Sequence, residues 1–119
     1  MSEPHKNAIP QLEISPQEVS SLLHARADFL FIDCRKPEER EQSRIDGTTL
    51  IPMHDLDLHI DRLRQRTDQH MIVHCRSGRR SMSMTLLLRE LGFPNVQSMA
   101  GGIERWDREI GTTIKSVQS

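Results

Sequence analysis

Met71-Ile72-Val73-His74-Cys75-Arg76-Ser77-Gly78-Arg79-Arg80-Ser81-Met82 fits a strand, a thiol, a tight loop and a helix start into twelve residues. The apolar run from Met71 predicts a buried strand ending at His74. Gly78 and the small Ser77 and Ser81 let the backbone curl around Cys75, and a helix-forming stretch follows from Arg79. Three arginines, Arg76, Arg79 and Arg80, stand within five residues of the sulfur, and the free N–H groups of a helix start point nearby. Both favour negative charge, on a thiolate and on an anionic substrate. A free cysteine at a strand end is ordinarily a small buried hydrophobe. Three cations and a glycine turn are a poor setting for an inert thiol, whose pKa near ~8.5 falls to roughly 3.5–7.5 in such surroundings.

Working outward, strands and helices alternate. Ser15-Pro16-Gln17-Glu18 is a capped helix start, and the helix runs to about Ala27 over Val19, Leu22 and Leu23. Phe29 to Asp33 is a continuous apolar run that suits a doubly buried strand with Asp33 at its carboxyl end. Pro37 to Arg40 predicts a short helical turn, Asp46-Gly47 a tight turn, and Thr48 to Pro52 a short strand. Asp55 to Arg66 carries Leu56, Ile60 and Leu63 at helical spacing. Arg79 to Leu91 sets Met82, Leu86 and Leu87 on one side, with Gly92 ending the helix. Val96 to Met99 is a further strand, Gly101-Gly102 a breaker, Ile103 to Ile110 a last helix, and the polar chain frays from Gly111. This alternation implies an α/β domain whose mainly parallel central sheet carries helices on both faces. Functional groups in such sheets gather beyond the carboxyl ends of the strands. Asp33-Cys34-Arg35, the Cys75 loop and Ala100-Gly101-Gly102 all fall there.

At 119 residues, 35% hydrophobic and 28% charged, the chain is sized for one folded domain. Three Phe, one Trp and no Tyr leave the core to Leu, Ile, Val and Met. A net charge of −1 gives no general attraction to nucleic acid or anionic membrane. The basic residues are skewed, thirteen Arg to three Lys, toward the planar fork that grips oxyanions. No apolar stretch approaches the roughly 20 residues that span a bilayer, and Met1 to Pro10 lacks the apolar segment of a secretory signal. Two cysteines are too few for a disulfide scaffold, so a reducing, cytoplasmic setting is expected. A monomer is expected as well.

Acyl transfer by a cysteine needs a histidine base within reach. His74 adjoins Cys75, but consecutive strand residues face opposite ways. The fixed positive charge instead suits a small oxyanion such as phosphate, arsenate or thiosulfate. A phosphatase-type loop would place Arg six positions after the cysteine, where this chain has Ser81, so that geometry is disfavoured.

Cys75 to Ser81 resembles the active-site loop of single-domain rhodaneses, the sulfurtransferases. Asp33-Cys34-Arg35-Lys36-Pro37-Glu38-Glu39 is similar to their Asp-x-Arg-x-Pro-x-Glu segment. Arg44 to Pro52 is similar to their His-Ile-Pro-Gly-Ala-x-x-Ile-Pro, and Gly101-Gly102-Ile103-Glu104-Arg105-Trp106 to their Gly-Gly-Ile-x-x-Trp. Order and spacing hold from about Ser15 to Ile114. The resemblance implies a flexible leader over 1–11, a rhodanese domain over 12–114 and a polar tail over 115–119. It implies that Cys75 takes sulfane sulfur from thiosulfate or a persulfide donor and hands it to a thiol, a protein acceptor or cyanide. Arg76, Ser77, Gly78, Arg79, Arg80 and Ser81 would bind the donor, supported by Asp33 and Arg35, without a cofactor. The six-residue loop Cys75 to Arg80 goes with sulfur transfer in the family, and a loop one residue longer with phosphatase or arsenate reductase relatives. Those two, and a non-catalytic docking module, are the alternatives. Arg40, Arg44, Asp46 and Thr48 depart from the family pattern, as does Cys34 where Val is usual.

The remaining signals read as structural. Asp33 and Arg35 suit an ion-pair brace for the loop. Cys34 reads as a buried Val substitute, with resolution of an oxidised Cys75 as the alternative. His54, His59, His70 and His74 lack the spacing of a ligand set, so no metal is expected. Trp106 and Ile103 anchor the last helix. Arg62, Arg64 and Arg66 form a solvated face, or else a patch for an acidic partner.

Overall fold

The computed structural model describes residues 11–115. In chain order the elements are β1 (Glu13–Ile14), α1 (Pro16–His24), β2 (Leu30–Asp33), α2 (Pro37–Gln42), β3 (Ser43–Ile45), β4 (Thr49–Leu50), α3 (Leu56–Leu63), β5 (Met71–His74), α4 (Arg79–Glu90), β6 (Val96–Met99), α5 (Gly102–Glu109) and β7 (Thr113–Lys115). One 3-10 turn precedes α3 and another follows it. Five strands make an all-parallel sheet in the order β1-β6-β5-β2-β4. The α/β class and the central parallel sheet are therefore as expected.

Side-chain alternation along the strands divides the core in two. Ile32, Cys34, Met71, Val73 and Cys75 face a cluster completed by Leu56 and Leu63 of α3 and Met84 and Leu88 of α4. Phe31 and Ile72 face the other side, with Val19 of α1 and Ile103 and Trp106 of α5. Helices thus cover both faces, which is what continuous apolar strands require. The capping box at α1 forms as read: Glu18 N donates to Ser15 Oγ at 3.1 Å, and Ser15 N to Glu18 Oε1 at 3.2 Å. Trp106 is 2% exposed and donates from Nε1 to Thr112 Oγ1, an anchor as expected.

Two local expectations are corrected. The buried stripe of α4 is Ser81, Met84, Thr85 and Leu88, while Leu86 and Leu87 are 48% and 40% exposed. The helix is apolar on several faces, so hydrophobicity alone does not choose among them; sheet contact does. Secondly, the chain does not fray from Gly111. Thr113–Lys115 pairs antiparallel with Ser43–Ile45, Ile45 opposite Thr113. Both strands are short and polar, and each reads as coil until the other is beside it. Glu13–Ile14, ahead of α1 and within the expected domain, adds an edge strand on β6. Residues 1–10 of the expected leader and 116–119 of the expected tail lie outside the described residues.

The arginine run near α3 is exposed but engaged. Arg64 lies 5.4 Å over the Phe93 ring and donates to Leu91 O, and Arg66 pairs with Asp28 at 3.1 Å. Among the described residues, no helix is long and apolar enough to cross a membrane.

Candidate active site

Cys75 follows β5 directly and lies on the floor of a loop closed by Gly78. Gly78 takes φ +105, a backbone state that costs a side-chain-bearing residue strain, and caps the start of α4. That turn aims two main-chain donors at the sulfur. Gly78 N donates to Cys75 Sγ at 3.1 Å and Ser81 N at 3.3 Å. Ser81 Oγ lies 3.5 Å from the sulfur and 2.7 Å from Ser98 Oγ. With Ser98 donating to it, the Ser81 hydroxyl has a Cys75 thiolate or Gly78 O, 3.3 Å away, as its acceptor. The Cys34 thiol, on the neighbouring strand-end and in the same buried cluster, further favours the Cys75 anion. The Cys34 and Ser81 side chains and the two amides outweigh the cost of burial, and the Cys75 thiol is pulled down to about 4.

The arginines are placed otherwise than expected. Arg76 turns outward to Glu104 at 2.8 Å, and Arg80 grips Glu39 through both terminal nitrogens at 2.7 and 2.9 Å. Arg79 is exposed at the start of α4, and Ser77 is exposed at the crest of the loop. Cys75 itself is 1% exposed. The reason is competition: α2 and α5 each present a carboxylate to the loop, and a guanidinium gains more from that partner than from a sulfur already satisfied by amides. Main-chain dipoles therefore hold the sulfur, and the arginines shape the field at the rim. A polar cleft of about 360 Å³ opens beside this rim, lined by Arg35, Glu39, Arg76 and Glu104 among others.

The far side of the loop rests on α5. Ile103 N donates to Cys75 O at 2.8 Å and Glu104 N to Arg76 O at 3.1 Å. Gly102 permits this approach. A Cβ there, at φ +61, would sit 2.4 Å from Arg76 O and 2.5 Å from Cys75 O. The Gly-Gly pair, read in the sequence as a breaker, is the seat of the loop.

Asp33 and Arg35 form a buried brace, 0% and 3% exposed. Arg35 donates from Nε to Asp33 Oδ1 at 2.9 Å and from a terminal nitrogen to Oδ2 at 3.0 Å, and reaches Ser43 O at 2.6 Å. Burial acts to raise the Asp33 carboxyl, but its bonds with Arg35 prevail and hold it below the usual carboxylate range. Arg40 and Thr48, two of the departures from the family pattern, meet each other. Arg40 donates to Thr48 Oγ1 at 2.7 Å and to Thr48 O at 2.9 Å. The guanidinium satisfies the hydroxyl introduced in place of a small apolar side chain.

His74 lies on the opposite face from Cys75, packed edge-on to Phe31 and fully buried. Burial pushes its pKa down, and its Nε2 has no hydrogen-bond partner, so it is no base for Cys75. His70 Nε2 donates to Gln97 Oε1 at 2.8 Å. Ser98 was not singled out in the sequence. A polar residue within the otherwise core-forming Val96–Met99 strand was the available signal.

A family model for the rhodanese-like domain matches residues 15–109, a span that contains every element of this site.

The chain belongs to the rhodanese-like domain family.

A sulfurtransferase of Allochromatium vinosum is 31% identical over 96 residues, 81% of this chain and 88% of that one. Human thiosulfate:glutathione sulfurtransferase is 29% identical over 105 residues, covering 78% of this chain and 90% of the human protein. The crystal structure of a thiosulfate sulfurtransferase from Pseudomonas aeruginosa superposes with a TM-score of 0.79 at 27% identity, over 89% of this chain and 20% of that longer one. Family and fold are thereby fixed for this rhodanese-like domain, and its relatives include named sulfurtransferases.

Proposed function

We propose that this rhodanese-like protein is a sulfurtransferase that carries sulfane sulfur on Cys75. The observation that supports it best is the Cys75 sulfur, held by Gly78 N and Ser81 N at 3.1 and 3.3 Å and pulled down to about 4. Such a sulfur is ionised at neutral pH and needs no histidine to activate it. The thiolate attacks the outer sulfur of thiosulfate, the bond to the sulfonate sulfur breaks, and sulfite leaves with the electron pair. The terminal sulfur of the new persulfide is anionic, and the loop amides are donors suited to it, as an oxyanion hole is to oxygen. A thiol, a protein acceptor or cyanide then attacks that terminal sulfur and restores the Cys75 thiolate. Arg79, exposed at the rim, helps to draw in a dianionic donor, while the charges of Arg76 and Arg80 are offset by Glu104 and Glu39. A reducing compartment suits its two free cysteines.

The phosphatase alternative is weakened at one position. Ser81 stands where an arginine would grip the phosphoryl oxygens, and its hydroxyl is spent on the sulfur and on Ser98. Thiosulfate treatment is expected to release one sulfite per protein and, in samples quenched at once, to show one added sulfur in the intact mass. Cys75→Ala should do neither. Turnover retained in Cys75→Ala, or hydrolysis of an aryl phosphate in place of sulfite release, overturns the assignment.

A further inference from the structure

Cys34 and Cys75 are a directly opposed pair. β2 and β5 run parallel with Asp33 opposite His74, and Cys34 N donates to His74 O at 3.0 Å. In a parallel ladder that bond extends the register by one residue, setting Cys34 opposite Cys75. Neighbouring strands lie about 4.7–4.9 Å apart, within the ~4.4–6.8 Å between Cα atoms that a disulfide requires. Both side chains point to the same face and join one buried cluster. Cys34 and Cys75 are 2% and 1% exposed, so the two sulfurs share one buried site and Cys75 is the reaction partner nearest to Cys34.

Resting on the persulfide reading, we infer that Cys34 is an internal resolving thiol: it discharges the Cys75 persulfide as hydrogen sulfide and closes a Cys34–Cys75 disulfide, giving the protein a thiol-dependent thiosulfate-reducing activity beside sulfur transfer. The persulfide joins the Cys75 sulfur to a terminal, anionic sulfur. The Cys34 proton passes to that terminal sulfur, and the Cys34 sulfur attacks Cys75 Sγ. The bond between Sγ and the terminal sulfur breaks, and hydrosulfide leaves with its electron pair. The sulfane sulfur is reduced to sulfide as the two cysteines are oxidised to the disulfide. Two equivalents of an external low-molecular-weight thiol reopen the disulfide and are themselves oxidised to their own disulfide. The full cycle converts thiosulfate and two thiols into sulfite, hydrosulfide, one external disulfide and a proton.

The division of labour between the sulfurs suits this order. The neighbouring Cys75 sulfur, together with burial, pushes the Cys34 thiol up. Cys34 therefore keeps its proton while Cys75 is the anion, and attack on the donor belongs to Cys75. Once the charge has moved to the terminal sulfur, the same proton has a new acceptor. The activating partner becomes the resolving one.

The test is a single turnover of the full chain, reduced and then freed of reductant, given equimolar thiosulfate and no acceptor. Wild-type protein is expected to release sulfite and then about one sulfide per chain, and to end two hydrogens lighter, with peptide mapping locating a Cys34–Cys75 disulfide. C34V and C34S are expected to release sulfite, retain one added sulfur, and yield at least tenfold less sulfide. Two variants are used because either may pack poorly. A wild-type protein that retains the added sulfur and releases no sulfide overturns the inference and leaves the persulfide reading standing. So does sulfide release undiminished in both variants. Absence of sulfite and of added sulfur in all three proteins overturns both readings.

Discussion

Glu39 holds Arg80 by two hydrogen bonds, at 2.7 and 2.9 Å, and is itself fixed by Lys36 N at the start of α2. The bonds from Arg80 pull the Glu39 carboxyl down to about 2, so the pair stays ionised throughout the neutral range. The guanidinium at the end of the six-residue loop is thus cancelled by a carboxylate instead of facing the sulfur. Glu39→Gln keeps an acceptor for Lys36 N and removes the charge. It is expected to change stability by less than about 1 kcal/mol, since the pair is partly solvated, and to raise thiosulfate capture several-fold at low ionic strength. The gain should fade as salt screens the rim. Steady-state kcat/KM across a salt series checks this; a fall in capture at low salt contradicts it.

The Cys75 thiol sets a pH signature. Its pKa is lowered in the folded protein, first by the Cys34 thiol and then by Ser81 and the two amides. A group shifted downward binds fewer protons folded than unfolded. Its stabilising contribution is complete above the unfolded thiol value of ~8.5 and is lost as pH falls toward the folded one. Ultraviolet thiolate absorbance should titrate with a midpoint of about 4. Cys34→Val should move that midpoint upward, because the leading neighbour is gone. A wild-type midpoint near the free-thiol value contradicts this account of the cradle.

Gly102 bears the loop. An alanine Cβ would meet the backbone of both Cys75 and Arg76 at 2.4–2.5 Å and sit at φ +61. Backbone cannot swing aside as a flexible side chain can. Gly102→Ala is expected to destabilise by roughly 2–4 kcal/mol, overpacking and left-handed strain combined. Sulfite release should fall even at temperatures where the variant is folded. Denaturant unfolding and single-turnover sulfite release measure the two effects; a variant with native values in both removes Gly102 from this role.

The α4 stripe separates two leucines two residues apart. Leu88 is 0% exposed and Leu86 48%. Leu88→Ala is expected to cost about 2–5 kcal/mol, and Leu86→Ala to stay within about 0.5 kcal/mol. Equal losses in urea unfolding would return the stripe to the one read from hydrophobicity.

Much of this protein was decided along the chain. The apolar runs at Phe31 and Ile72, the caps at Ser15 and Gly78, and the turn around Cys75 act over a few residues, and local sterics and burial leave them little choice. The α/β order and the family pattern followed from them. Interactions between distant segments were decided in space. Nothing near Arg80 in sequence announces Glu39, forty-one positions away, so the arginines read as sulfur-binding until α2 is placed. Ser43–Ile45 and Thr113–Lys115 are polar and become strands by pairing with each other. Ser98 gains a role because β6 runs beside the loop. The contact between Cys34 and Cys75 exists because parallel register brings two strand ends together. Short-range conformational preference is written residue by residue, whereas a hydrogen bond or ion pair between remote groups has meaning only once the sheet has fixed who stands next to whom.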